Sequence, residues 1–185
     1  CWSFCCIRYR ASGGVGSLAV DIFTRAGYET HAITGSLENF DYLQELGATQ
    51  CISRHDLYWG QRPLETARWA GAVDSVGSEM LAGLTRVIKP YGNIASCGLV
   101  AGDDLATTVM PFIIRGVSLL GIASAGTARP IRDAIWQHLA SDWKPRHLER
   151  IASQEVTLEE LSDVFAAMLR NETPARTVVR IAARD

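Results

Sequence analysis

An α/β fold, with a parallel sheet covered by helices on both faces, is what this sequence predicts, and three observations predict it. A glycine-rich turn, Ala11-Ser12-Gly13-Gly14-Val15-Gly16-Ser17, runs straight into an amphipathic segment. Apolar runs of strand length then alternate with segments of helical periodicity, the tempo of βαβ units. Finally, no repeat, low-complexity stretch or linker interrupts the series.

Each element follows from local pattern. Leu18-Ala19-Val20-Asp21-Ile22-Phe23 opens a helix from Ser17 to Ala26, which Gly27-Tyr28 stops. Glu29 to Thr34 reads as a strand. Leu37, Phe40, Leu43 and Leu46 share a helical face that ends at Gly47, and Ala48 to Ser53 is a short strand. Pro63 to Trp69 is predicted helical, with Pro63 in its first turn. Ala70 to Gly77 reads as a buried strand ending in a turn. Met80, Leu81, Leu84, Val87 and Ile88 line the next helix, which Pro90 is expected to stop. Asn93 to Gly98 and Val117 to Ala123 are further strands, the latter followed by a helix with Ile131, Ile135 and Leu139 on one face. The tail differs. Leu158 to Leu169 is an amphipathic helix, and Arg176 to Ile181 is an alternating strand whose partner is expected outside the main sheet.

The first ten residues, CWSFCCIRYR, fit this scheme badly. A buried parallel strand is normally a near-continuous Val/Ile/Leu run. The segment also lacks the features of a signal peptide. It reads as atypical and non-native: a fragment end, a junction or a locally shifted reading frame.

Composition removes several function classes. In 185 residues, 48% hydrophobic and 21% charged residues are ordinary globular values. A net charge of -2 supplies no basic field for nucleic acid or an anionic membrane. The apolar runs Val109 to Ile114 and Val117 to Ala123 are split by Arg115-Gly116 and are too short to span a bilayer. Cys1, Cys5, Cys6, Cys51 and Cys97 form no disulfide framework, and His31, His55, His138 and His147 are scattered, so no metal site is expected. Trp59, Trp69, Trp136 and Trp143 lack clustered Lys or Arg and are expected in core or interface packing rather than as a stacking platform.

The chemistry begins at the glycine turn. Glycines let a backbone approach a pyrophosphate, whose charge meets the N–H groups and positive dipole end of the following helix. A strand ending at Thr34, about 20 residues on, is where dinucleotide folds read the adenosine ribose. NAD-preferring sites place Asp or Glu there. Thr34-Gly35-Ser36 instead avoids repelling a 2′-phosphate and favours NADP, although the loop itself holds no Arg or Lys. Asp74 has two readings, a catalytic acid or a carboxylate bonded to loop N–H groups, and the second is favoured. Cys97 has no neighbouring base and reads as a lining residue. None of Tyr9, Tyr28, Tyr42, Tyr58 and Tyr91 is followed four residues later by Lys, which disfavours the short-chain dehydrogenases.

Together ASGGVGS, LGAT (46–49), WAGAVDSVG (69–77), YGNIASCGLVAG (91–102) and TTVMPFIIRGVSLLGI (107–122) resemble the zinc-free medium-chain dehydrogenase/reductases, within the acrylyl-CoA reductase-like group of NADPH quinone oxidoreductase relatives. The resemblance covers about residues 11 to 185. It implies a Rossmann dinucleotide-binding domain over 11–150, a C-terminal segment over 151–185 that returns to a GroES-like catalytic domain, and absence of that N-terminal domain from this chain. It places Ser12, Gly13, Gly14 and Val15 at the pyrophosphate and Thr34 and Ser36 at the ribose phosphate. Cys97, Gly98 and Leu99 would lie beside the nicotinamide, with Ile122, Ala123 and Ser124 across from it. The implied cofactor is NADP(H). The implied reaction is hydride transfer to the β-carbon of an activated alkene such as an acrylyl thioester, or to a quinone, in a cytoplasmic protein. No catalytic residue is assigned on this chain.

Two departures predict a weaker site: Tyr9-Arg10 where the family has Thr-Gly, and Ser36 where it tends to carry Arg. Small-molecule substrate and homodimer partner, the latter through Val117 to Ile122, complete the expectation. The alternatives are a catalytically silent nucleotide-binding or assembly module and, less favoured, an S-adenosylmethionine methyltransferase, which normally has an acidic residue after its second strand.

Overall fold

The computed structural model describes the backbone of residues 3–7 and, in full, residues 11–170, 172–173 and 175–181. Six parallel strands form the main sheet: β1 (Ser3–Ile7), β2 (Glu29–Thr34), β3 (Gln50–Ser53), β4 (Trp69–Asp74), β5 (Ile88–Ser96) and β6 (Ser118–Gly121). Their spatial order is β3-β2-β1-β4-β5-β6. Strand order reverses between β1 and β4, and ligands of such open sheets bind beyond the carboxyl ends of the strands at that switch point.

Helices cover both faces. Ala32 and Ile33, adjacent on β2, belong to two different core clusters, because successive side chains on a strand point to opposite faces. On one face Ile33, Trp69, Ala72 and Ile94 pack with Leu81, Leu84 and Val87 of α3 (Ser78–Val87). On the other, Ala32 packs with Ala19 and Val20 of α1 (Gly14–Arg25), Leu43 of α2 (Phe40–Glu45) and Ile151 at the end of a later short helix. The doubly wound α/β prediction holds.

Several local expectations do not. The segment 3–7 is a strand, one of the two central ones: β1 pairs with β2 from Ser3↔Glu29 to Ile7↔Ile33 and with β4 from Phe4↔Gly71 to Ile7↔Asp74. Ladders on both edges fix it despite its poor Val/Ile content. Tyr9 and Arg10, the proposed departures before the turn, lie outside the described residues. The first helix begins at Gly14 rather than Ser17, so the second and third glycines of the turn are its first residues.

Residues 63–68 are not helical. Glu65 N–H donates to the Arg86 carbonyl and Arg68 N–H to that of Val87, so the segment spends its amides on the end of α3 and runs directly into β4. Pro90 does not stop a helix either. β5 starts at Ile88, and the register against β4 skips from Trp69↔Ile88 to Gly71↔Asn93. The skipped residues bulge, with Tyr91 at φ 61, and Pro90, which has no N–H to give, falls outside the ladder.

Beyond β6 come α4 (Met110–Arg115, which precedes it in the chain), α5 (Arg129–Ala140), α6 (Leu148–Ile151), β7 (Gln154–Thr157), α7 (Leu161–Leu169) and β8 (Thr177–Arg180). β8 does lie outside the main sheet. Its partner is β7, a four-residue strand the sequence reading passed over, paired in parallel from Gln154↔Thr177 to Thr157↔Arg180. The tryptophans divide: Trp69 is buried with Trp59 against it, whereas Trp136 and Trp143 are exposed.

Candidate dinucleotide site

The turn after β1 is cut to fit close neighbours. Ala11 and Ser12 are fully buried. Gly13 caps α1 without a side-chain hydrogen bond, and the first turn holds no acidic residue. Ser17 N–H closes the first helical bond, to the Gly13 carbonyl at 2.9 Å. The N–H groups of Gly14, Val15 and Gly16 therefore lack intrahelical acceptors and add to the positive dipole end, an arrangement suited to an anion.

Gly16 is sterically required here, and Gly14 leaves space that an arginine side chain uses. A Cβ on Gly16 would overlap the Ala11 carbonyl, lying 2.9 Å from its C and Cα, where ordinary contact begins at 3.4 Å. A Cβ on Gly14 would fall 2.5 Å from Cδ and Cζ of Arg176. That arginine is delivered by the C-terminal segment. Ala175 forms a parallel bridge with Gly13, Ala175 N–H donates to the Ser12 carbonyl at 2.6 Å, and Arg176 N–H donates to Ile151 at 2.9 Å. A guanidinium thus lies against the first turn of α1. Sequence reading treated Arg176 only as the start of a strand. No local sequence signal marks it, because Arg176 reaches the turn through the bridge from Ala175 to Gly13.

Across the switch point, Asp74 ends β4. It is fully buried, and its carboxylate accepts from Val76 N–H at 3.1 Å and from Gly77 N–H at 3.1 Å. Burial pushes its pKa above the ordinary carboxylate value, and the two N–H groups and Ser96 oppose that rise. This is the loop-bonded carboxylate, not a solvent-facing acid. Ser12 and Ser75 follow β1 and β4. Both hydroxyls are buried and lack a hydrogen-bond partner among the described residues. Buried polar groups are normally satisfied, so two such hydroxyls flanking a switch point fit a polar ligand.

A second cluster forms where β2 and β3 end together, Thr34 opposite Ser53. Thr34 is buried, and its Oγ1 accepts from Ser36 N–H at 3.2 Å, which fixes the loop. The cation missing from the loop's own sequence comes from the turn that follows β3: a Cβ on Gly35 would lie 2.6 Å from Arg54 Nε.

On the other side, Cys97, Gly98, Leu99 and Ile122 line one cavity of about 360 Å³. Cys97 N–H donates to the Asp74 carbonyl at 2.8 Å and Ile122 N–H to Ser96 at 2.9 Å. Gly98 passes so close to β4's end that a Cβ would lie 2.5 Å from the Ser75 carbonyl oxygen. Ala123 and Ser124 are exposed residues of the loop that follows, outside that lining. The structure therefore gathers the predicted residues other than Ala123 and Ser124 into three clusters along the carboxyl edge, with Arg176 and Arg54 added.

The sequence profile of the zinc-binding dehydrogenases matches residues 14–141. The chain is 43% identical over 172 residues to the putative quinone oxidoreductase YhfP of Bacillus subtilis, covering 92% of this chain and 52% of that protein. It is 41% identical over 174 residues to the acrylyl-CoA reductase AcuI of Ruegeria pomeroyi, covering 94% of this chain and 52% of that one. The crystal structure of the YhdH oxidoreductase from Salmonella enterica in complex with NADP superposes with a TM-score of 0.92 at 37% identity, covering 98% of this chain and 55% of the other. The YhfP crystal structure, with NAD bound, gives the same TM-score at 41% identity, covering 97% and 54%. The chain spans about half the length of the curated relatives it matches.

Proposed function

The chain belongs to the zinc-binding dehydrogenase family, and from that premise we propose that it is the cofactor-binding part of an NADPH-dependent reductase of activated alkenes, such as acrylyl thioesters, or of quinones. One observation carries the cofactor reading. The amide-rich start of α1 and the Arg176 guanidinium converge on Gly14 at the switch point, beside the Ser12 hydroxyl that has no partner among the described residues. Relatives named as an acrylyl-CoA reductase and a putative quinone oxidoreductase support the substrate classes.

Among the described residues no three His, Cys, Asp or Glu side chains come together as a metal cage. The nicotinamide cofactor, when bound, supplies the hydride. This chain's residues hold and aim it: Gly13, Gly14 and Val15 with Ser12 and Arg176 at the pyrophosphate, Thr34 and Ser36 at the ribose phosphate. Cys97, Gly98 and Leu99 bound the nicotinamide side, with Ile122, Ala123 and Ser124 opposite. Residues 11–150 act as the dinucleotide domain. Residues 151–185 form the return segment, and the β7–β8 pair supports that division.

The same reading makes the protein a homodimer through β6. That strand is at the sheet's edge, and Val109, Ile113, Ile114, Leu120 and Ile122 around it are exposed. Light scattering at micromolar concentration should return twice the chain mass; a monomer would contradict it. Five cysteines, an odd number with no regular spacing, support a cytoplasmic setting.

Titration followed by tryptophan quenching tests the cofactor reading. We expect saturable NADPH binding and none for S-adenosylmethionine. The reverse pattern would replace a reductase with a methyltransferase. NADPH binding with no turnover of acrylyl-CoA or quinones would leave a silent nucleotide-binding module.

A further inference from the structure

One buried carboxylate stands apart from the cofactor's own contacts. Asp21, in the middle of α1, is 1% exposed. Its oxygens accept from two successive backbone amides 125 and 126 residues further along the chain: Oδ1 from Arg146 N–H at 3.2 Å and Oδ2 from His147 N–H at 2.8 Å. The His147 ring is beside them, with Nδ1 3.5 Å from Oδ1. These amides lead into α6, whose last residue, Ile151, is fully buried in one core cluster with Ala19 and Val20 of α1. The Ile151 carbonyl then accepts from Arg176 N–H at 2.9 Å, and the Arg176 side chain lies against Gly14. Gly14 and Asp21 are both buried on one face of α1, two turns and about 10 Å apart along its axis. So α6 runs back along α1 from Asp21 toward Gly14, a strut between a buried carboxylate and the arginine at the glycine turn.

We propose that Asp21 is a positioning residue for dinucleotide binding: by gripping the amides that enter α6, it sets where Arg176 meets the turn. The inference rests on the cofactor reading above and adds to it a residue that never touches the ligand. A buried carboxylate is costly unless its oxygens are hydrogen-bonded, and here both are. Bonds from N–H to a charged acceptor are about twice as strong as neutral ones, so this end of the strut is firmly held. Four residues of α6 carry that placement to the Ile151 carbonyl. A guanidinium that must meet pyrophosphate oxygens needs its support fixed to within about half an ångström. Asp21 shares the task, because Ala175 N–H also donates to the Ser12 carbonyl at 2.6 Å. Its removal should therefore cost less than removal of Arg176 itself.

A double-mutant cycle on the 185-residue chain tests this, with NADPH and NADH titrated calorimetrically into the wild type, Asp21→Ala, Arg176→Gln and the double variant. Asp21→Ala should weaken both dinucleotides by about 3- to 10-fold, the coupling of residues in one hydrogen-bonded network. In the Arg176→Gln background the same change should cost less than about twofold, since the group it positions is gone. Asp21→Asn keeps one carbonyl for one of the two amides and should lose less. It also carries the cycle if circular dichroism shows that Asp21→Ala does not fold. Amide hydrogen exchange of the ligand-free chain gives a second readout: the Arg176 N–H should lose protection in the Asp21 variants while the β4–β5 ladder keeps its own. Wild-type affinity in the Asp21 variants, or equal losses with and without Arg176, would overturn the inference and leave the cofactor reading standing. Binding of neither dinucleotide by the wild type would remove the cofactor reading itself, and this inference with it.

Discussion

Gly16→Ala sets two effects of opposite sign against each other, and the structure decides between them. Alanine is intrinsically better than glycine inside a helix by about 1 kcal/mol. That gain is smaller in a first turn, where Gly16 lies. Against it stands the Ala11 backbone. The added Cβ would sit 2.9 Å from Ala11 C and Cα, and nearer still to the carbonyl oxygen. Neither side can yield as a flexible side chain would, so α1 must lift from the turn by about half an ångström or more. Overpacking of this kind costs about 1–3 kcal/mol. We expect a net loss of about 1–2 kcal/mol, which lowers the melting temperature by about 2–8 °C in a domain of this size. The same displacement spreads the N–H groups at the helix start, so NADPH affinity should fall with stability. Circular dichroism melts and calorimetric titration of the same preparation read both quantities. Gly126→Ala is the control, since the nearest atom to the added Cβ is the Ala123 carbonyl oxygen at 3.9 Å, an ordinary contact. A raised melting temperature with unchanged affinity in Gly16→Ala would refute the close-packing argument.

Further outcomes follow from the same geometry. Arg176→Gln should weaken NADPH and NADH alike, by about tenfold or more, because the pyrophosphate is common to both; selective loss of one dinucleotide in parallel titrations would contradict its assignment. Asp74→Ala leaves Val76 and Gly77 N–H groups without their acceptor and should cost about 1–3 kcal/mol in urea unfolding, with Asp74→Asn milder. Glu65 binds the Arg62 guanidinium and accepts from the Gln61 and Arg62 amides, which lowers its pKa from 4.5 to about 2. A carboxylate with a depressed folded pKa stabilises above its unfolded value, and that stability is lost as pH falls through the folded one. The melting-temperature gap between wild type and Glu65→Gln should therefore be full above pH 4.5 and close toward pH 2; a gap independent of pH would show that the ion pair is not its source.

Periodicity made most of the sheet readable. Glu29 to Thr34 and Ala70 to Asp74 carry enough apolar character to announce themselves, and the helix faces at Leu43–Leu46 and Leu81–Leu84 are equally plain. The central strand β1 was not readable, since Ser3-Phe4-Cys5-Cys6-Ile7 has little aliphatic bulk and is defined instead by ladders on both edges. The helix expected over Pro63 to Trp69 failed because propensity does not register that Glu65 and Arg68 have acceptors waiting at the end of α3.

The site divides in the same way. Its glycines belong to a local motif and could be found from sequence. Arg54 and Arg176 could not, because each enters through pairing: Arg54 through the β2–β3 register, Arg176 through the bridge from Ala175 to Gly13. In both cases a glycine opposite marks the arrangement, since Gly35 and Gly14 leave the space that the two guanidinium groups use.

The crystal structure of this chain grown with NADPH is the most direct test of the central claim. The account predicts the pyrophosphate on the N–H groups at the start of α1, with the Arg176 guanidinium and Ser12 hydroxyl within hydrogen-bond distance and the nicotinamide between Gly98 and Ile122. A dinucleotide bound away from the β1–β4 switch point, with the Gly14 turn making no contact to phosphate, would contradict it.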